Sequence, residues 1–144
     1  MKSSKSKERI AVIGLGYVGL PLMSELSKKF DTIGFDISDS RVSSLKQGYD
    51  ITGELNKSKL NKLSPRLTCN VEDIADRNVY IISVPTPITK NKMPDLRPIT
   101  QACKLVGNLL EKGDLIIFPS WLKHGSNQTK NFYNKRTVIS FNAL

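Results

Sequence analysis

The sequence is short of the side chains on which chemistry of its own could be built. In 144 residues it has one histidine, His124, one tryptophan, Trp121, and two cysteines, Cys69 and Cys103. Two cysteines make neither a disulfide framework nor a metal-ligand cluster. Cys103 falls on the apolar face of a predicted helix, where a small buried hydrophobe is expected. The lone histidine, beside Lys123, reads as a solvated loop residue. No apolar run approaches the roughly 18 residues of a membrane span. The first nine residues are polar and basic with no apolar segment behind them, which is not the pattern of a secretory signal. These absences predict a globular protein of the cytoplasm, of a length that suits one domain burying roughly two-thirds of its unfolded surface.

Acidic residues are scarce only at the two ends. The formal net charge is +9, of which residues 1–9 supply +3 and residues 119–144 supply +4 with no acid at all. The remaining 109 residues hold 14 basic and 12 acidic groups. A nearly balanced middle argues against nucleic acid as a partner, because such partners select for a basic face on the folded domain itself.

What the sequence does have is concentrated between Ile10 and Asp36. The apolar run Ile10-Ala11-Val12-Ile13 enters Gly14-Leu15-Gly16-Tyr17-Val18-Gly19, a helical stripe follows, and a second run, Thr32-Ile33-Gly34-Phe35, ends on Asp36. Each part suits the grip on a dinucleotide. Gly14 permits the tight turn, Gly16 lets the backbone approach a pyrophosphate, and Gly19 lets the helix pack on its strand. The helix N-terminus then points its N–H groups at phosphate. Asp36 lies 22 residues after Gly14, near the usual spacing for a carboxylate that accepts from the adenosine ribose hydroxyls. An acid there repels a 2′-phosphate, so NAD rather than NADP is the expected cofactor.

Further along, Leu22, Met23, Leu26 and Phe30 form a core stripe, and Asp39 to Gln47 reads as a helix stopped by Gly48. A short helix is expected over Lys57 to Leu63, a short strand at Leu67-Thr68-Cys69, and a helical turn or two over Val71 to Arg77. Val79 to Val84 is nearly continuous in apolar character, as a buried parallel strand is. Asp95 to Lys112 carries one stripe, with Asp95 as N-cap and Gly113 just past the end. Leu115 to Phe118 gives a fifth strand. Strands alternating with helices predict an α/β Rossmann-type doubly wound parallel sheet. Ligands of such sheets lie outside the carboxyl ends of the strands. Pro85-Thr86-Pro87 falls there, either as a rigid strand terminator or as a loop that positions the Thr86 hydroxyl; Ser83 is open in the same way.

These motifs, from Ile10 through Gly19-Leu20-Pro21, then Gly34-Phe35-Asp36-Ile37 with Arg41, then Val84-Pro85-Thr86-Pro87, resemble the UDP-glucose/GDP-mannose dehydrogenase family over residues 10 to about 118. Gly48 to Glu54, and Pro87 to Lys92 followed by Pro94-Asp95-Leu96, are similar to its branch acting on UDP-N-acetylhexosamines. The resemblance implies an oxidoreductase of polysaccharide biosynthesis (capsule or O-antigen). Such an enzyme oxidises a sugar C6 alcohol to the carboxylate while reducing two NAD, in a homo-oligomer. It implies NAD contacts from the glycine loop (Gly14, Leu15, Gly16, Tyr17, Val18, Gly19), from Asp36 and Arg41, and from Val84, Pro85 and Thr86. On its residue type and position alone, Arg41 reads as a solvated helix residue.

The resemblance stops after Phe118. The family continues with a Glu-Ser-Thr segment, of which only Ser120 stands in place here, and its catalytic cysteine, lysine and asparagine lie in later domains. The expected organisation is a basic tail over residues 1–9, a nucleotide domain over 10–118, and a divergent basic tail over 119–144. That last tail has no acids and no sustained period, so it is expected to be out-of-frame or otherwise foreign sequence, with the sheet truncated after the fifth strand. No catalytic residue or metal ligand is assigned. The chain is expected to act as the cofactor half of a dehydrogenase, inactive alone; the alternative is a non-catalytic NAD-binding fragment or module.

Overall fold

A computed structural model describes residues 8–119 and 137–141. In chain order the elements are β1 (Arg9–Ile13), α1 (Gly19–Leu26), β2 (Asp31–Phe35), α2 (Asp39–Lys46), α3 (Lys57–Leu63) and β3 (Leu67–Thr68). They continue with β4 (Val79–Ile82), α4 (Arg97–Gly107), β5 (Leu115–Pro119) and β6 (Thr137–Phe141). One-turn 3-10 helices at Ser64–Arg66 and Val71–Ile74 flank β3. The strands form one sheet in the order β3-β2-β1-β4-β5-β6, every pair parallel. The order reverses between β1 and β4, where doubly wound sheets open a crevice at their carboxyl ends.

The central strands are buried on both faces, yet they still sort their side chains by alternation. Ile10 and Val12 of β1 pack with Leu20, Met23, Val42, Leu45, Leu60 and Leu63 from α1, α2 and α3. Ala11 and Ile13 pack on the other face with Tyr80, Ile82, Ala102, Val106 and Phe118. Two layers of helix therefore sandwich the sheet. The wholly buried Tyr80 satisfies its hydroxyl by donating to the Ile74 carbonyl at 3.1 Å, and burial pushes its pKa up to about 12.

Three expectations change. Helix α4 begins at Arg97 with Leu96 at the N-cap position, although the Asp95 carboxylate still accepts from the Arg97 N–H at 3.0 Å. The helix ends at Gly107, not Lys112. Leu109 and Leu110 continue the apolar stripe by packing on the core without being helical, so periodicity overran the end. Gly113 stands at φ +97 in the turn before β5. Finally, the sheet does not stop at the fifth strand: Thr137–Phe141 pairs with β5 in register Leu115↔Thr137 to Pro119↔Phe141. Five residues rich in β-branched and aromatic types suit a strand but are too few to display a period. Residues 1–7, 120–136 and 142–144, including Ser120, Trp121 and His124, lie outside the described residues.

Gly34, in the middle of β2, links the core to what lies above it. A Cβ there would sit 2.8 Å from Leu15 Cδ2 and 3.3 Å from Met23 Cγ. Gly34→Ala is accordingly expected to lower stability by about 1–3 kcal/mol through overpacking. The check is a shift of the urea midpoint at unchanged slope.

Candidate functional site

The loop between β1 and α1 is built by contacts that leave little choice of residue. Gly14 has φ +97, and a Cβ on it would be 3.0 Å from the Val84 nitrogen; its own N–H donates to the Phe35 carbonyl at 2.8 Å. A Cβ on Gly19 would collide with the Gly14 carbonyl and Ser83 Oγ. Ser83 Oγ lies 3.0 Å from the Ile13 carbonyl and 2.9 Å from that of Gly14, donating into this pair of acceptors. Ser83 thus ties β4 to the turn, and its role is structural. Gly16 differs: nothing lies within 4 Å of a Cβ built on it, so the space above it is open. Helix α1 starts there with Val18 at the N-cap position, no side-chain cap and no acid in its first turn.

Leu15 presents its backbone to the site while its side chain is fully buried. Its N–H donates to Asp36 Oδ2 at 2.9 Å, and Asp36 Oδ1 accepts from the Ser38 N–H at 2.9 Å. Two ionised oxygens offer about four lone-pair sites, so the carboxylate is oriented by these bonds without being saturated. The Leu15 carbonyl accepts from Arg41 Nε at 3.0 Å and Nη2 at 2.8 Å. Arg41 is not a solvated helix residue: its side chain is 13% exposed and pairs through Nη2 with Asp50 Oδ1 at 2.8 Å. Its Nη1 is buried without a hydrogen-bond partner.

Asp50 organises the α2–α3 connection. Oδ1 accepts from the Thr52 N–H at 3.0 Å and from Thr52 Oγ1 at 2.7 Å, while Oδ2 accepts from the N–H groups of Glu54 at 2.9 Å and Leu55 at 3.1 Å. Burial would raise its pKa, but these bonds and Arg41 outweigh it and push the carboxyl down to about 2. Neither the spacing nor the residue type marked Asp50 as more than a loop acid.

Above these groups lies a cleft of about 450 Å³. Of the residues expected at the site, Gly14, Leu15, Gly16, Asp36, Arg41, Val84 and Pro85 line it. Tyr17, Val18, Gly19 and Thr86 stand next to the lining residues and not among them. The sequence reading missed the opposite wall: Ile37 and Ser38 after β2, and Pro98, Gln101, Ala102 and Leu105 along one face of α4. Their spacing at 98, 101, 102 and 105 is a helical stripe that shares only Ala102 with the stripe expected to face the core. Also unforeseen is a small hairpin after β4, where Ile88 bridges Pro94 antiparallel and the Asp95 N–H donates to the Pro87 carbonyl at 2.7 Å. Among the described residues no group of His, Cys, Asp and Glu could hold a metal ion, and no helix is long and apolar enough to cross a membrane.

A glycine turn at an uncapped helix N-terminus, beside an oriented acid at the sheet's switch point, defines a dinucleotide-binding domain. The chain belongs to the UDP-glucose/GDP-mannose dehydrogenase family and matches its NAD binding domain over residues 8–140. It is 43% identical over 121 residues to UDP-N-acetyl-D-glucosamine 6-dehydrogenase of Pseudomonas aeruginosa, covering 83% of this chain and 29% of that protein. It is 40% identical to the Salmonella typhi enzyme of the same name, covering 83% and 28%. In structure it is similar to a UDP-D-ManNAc dehydrogenase from Pyrococcus horikoshii, with TM-score 0.66, 34% identity, and 76% of this chain and 27% of that one covered. The chain spans under a third of the length of these relatives.

Because the Asp50 pKa falls from 3.8 to about 2 on folding, its stabilisation is complete above pH about 4 and is lost as pH drops towards 2. The loss amounts to on the order of 2 kcal/mol. Urea unfolding of parent and Asp50→Asn from pH 5 to pH 2 checks this: the parent curve should fall more steeply, and parallel curves would refute it.

Proposed function

We propose that the cleft holds NAD with its pyrophosphate over Gly16 and its adenosine ribose on Asp36. The observation that carries this reading is the pairing of open space above Gly16 with an oriented but unsaturated carboxylate at the same loop. The α1 N-terminus offers N–H groups and positive dipole to the diphosphate, with no side chain of the protein in competition. Asp36 accepts from ribose hydroxyls and repels a 2′-phosphate. Val84 and Pro85 wall the far end, with Thr86, Tyr17 and Val18 at the rim and Gly19 beneath the loop. The apolar face of α4 and Ile37 form a slot suited to a flat base.

In this reading the chain is the cofactor-binding part of a nucleotide-sugar dehydrogenase. That enzyme oxidises the C6 alcohol of a UDP-N-acetylhexosamine to the uronate for surface polysaccharide, in the cytoplasm, as a homo-oligomer without nucleic acid or membrane partners. The names of the similar enzymes support the substrate class. Bound NAD supplies the hydride acceptor, and the residues described here fix its orientation and shield one side of it from water. Neither Cys69, whose thiol faces Asp39 at 3.4 Å, nor Cys103, which packs into the core beneath α4, lines the cleft. Neither can capture an aldehyde there as a nucleophile.

Calorimetric titration of the chain tests the reading. NAD should bind at least about tenfold more tightly than NADP, roughly 1.4 kcal/mol. Gly16→Val should abolish NAD binding while leaving the circular dichroism spectrum and melting temperature near those of the parent. Unchanged affinity in that variant would make the glycine purely structural. Incubated with NAD and UDP-N-acetylglucosamine, these 144 residues should give no sustained NADH absorbance. Sugar-dependent NADH production would show that they are more than the cofactor half.

A further inference from the structure

We propose that Asp50 is a specificity-determining positioning residue: by holding Arg41 on the Leu15 carbonyl, it withholds the cleft's cation from a 2′-phosphate and keeps the site selective for NAD over NADP. This rests on the reading that the adenosine ribose lies on Asp36.

Among the described residues that line the cleft Arg41 is the only cation, and it shares that lining with Asp36 and Ser38. An arginine close to the ribose-binding acid is the group that accommodates the extra phosphate in NADP-specific sites of this fold, because its planar fork matches phosphate oxygens in two bonds. Acid and arginine together would therefore give a contradictory instruction. The contradiction is resolved by position. Nε and Nη2 of Arg41 are turned to the Leu15 carbonyl, and the buried Asp50 carboxylate, 1% exposed, neutralises the guanidinium from behind at 2.8 Å. Asp50 is itself immobilised by four donors from Thr52, Glu54 and Leu55, so it cannot follow the arginine into the cleft. Without that carboxylate, a mostly buried guanidinium would retain only neutral acceptors, the Leu15 carbonyl and, at 3.5 Å, Thr52 Oγ1. A buried charge stripped of its counter-charge is strongly disfavoured, and an anion in the cleft would become its best partner. Nη1, buried and without a hydrogen-bond partner, is free to turn to it.

The test is calorimetric titration of the whole chain with NAD and with NADP in four variants, with circular dichroism to confirm folding. Asp50→Asn should narrow the NAD-to-NADP affinity ratio by about tenfold, chiefly through tighter NADP. Asp50→Glu, which restores a carboxylate, should return the ratio towards that of the parent. Adding Arg41→Met to Asp50→Asn should abolish the gain for NADP. Arg41→Met alone should weaken both cofactors together at an unchanged ratio. A loop that is merely disordered by the substitution would also weaken both alike, so the ratio separates specificity from damage. An unchanged ratio in folded Asp50→Asn overturns the proposal, as does a narrowed ratio that survives loss of Arg41. If Asp50→Asn does not fold, a selective loss of NADP in Arg41→Met would overturn it, because the pinned arginine would then already serve the phosphate. Binding of neither cofactor by the parent would instead reject the NAD reading itself.

Discussion

The cleft hangs on the backbone of a single residue, Leu15. Its N–H is taken by Asp36, its carbonyl by Arg41, and its side chain is buried over Gly34. Each of these three hydrogen bonds involves an ionised partner, of a kind contributing about 1.5–3 kcal/mol where neutral bonds give less. Both partners come from the β2–α2 region, so the loop that would face a phosphate is registered against the acid that would face a ribose. Shift that backbone and the glycine loop loses its register with the Asp36 carboxylate and with Arg41. The anchoring reaches further, through Asp50 to the connection between α2 and α3. Residues 37 positions apart in sequence, Leu15 and Thr52, are thereby held by one chain of hydrogen bonds and ion pairs.

Such a site can exist only because the sheet beneath it is rigid and its order reverses between β1 and β4. At that point the helices depart to opposite faces, α1 to one and α4 to the other. The carboxyl ends of the two strands are thus left uncovered side by side. Gly14 and Val84, at those two ends, approach so closely that a Cβ cannot be inserted comfortably. Ser83 bolts the same junction from β4. The cleft then needs only a second wall, which α4 supplies through a stripe lying beside its core-facing one.

Much of this was legible in the sequence because buried parallel strands are written as apolar runs and the turn between them is written in glycine. β1, β2, β3, β4 and β5 fell within a residue or two of expectation, and so did α2, whose Val42 and Leu45 are buried. What failed to be legible has physical reasons. The end of α4 was obscured because Leu109 and Leu110 keep packing after the helix has stopped. β6 was too short to show a pattern. Arg41 looked like a surface residue since its partners, Leu15 and Asp50, lie 26 and 9 residues away and meet only in the folded chain. Asp50 was hidden as well: three of its donors are backbone N–H groups, which carry no letter in a sequence. The wall formed by Pro98, Gln101, Ala102 and Leu105 was not read as a face of its own, because it mixes a proline and a glutamine with two apolar residues and lies beside the stronger stripe of Ile99, Ala102 and Val106 that faces the core.

The three glycines of the loop show why such a pattern is weak evidence until its context is known. Gly14 and Gly19 are demanded by the fold itself, one by its positive φ and its approach to β4, the other by contact with the Gly14 carbonyl and Ser83. Any tight strand-to-helix turn of this geometry would require them, whether or not it met a ligand. Gly16 alone has room for a larger residue. A side chain there would cost the folded chain nothing by collision, and any other residue would reduce the entropy of the unfolded chain. Stability alone therefore gives no reason for glycine at that position. Its purpose has to be sought in the space it leaves empty, above a helix terminus whose N–H groups no side chain caps. Within the fingerprint, that one vacancy is what separates a binding loop from a turn.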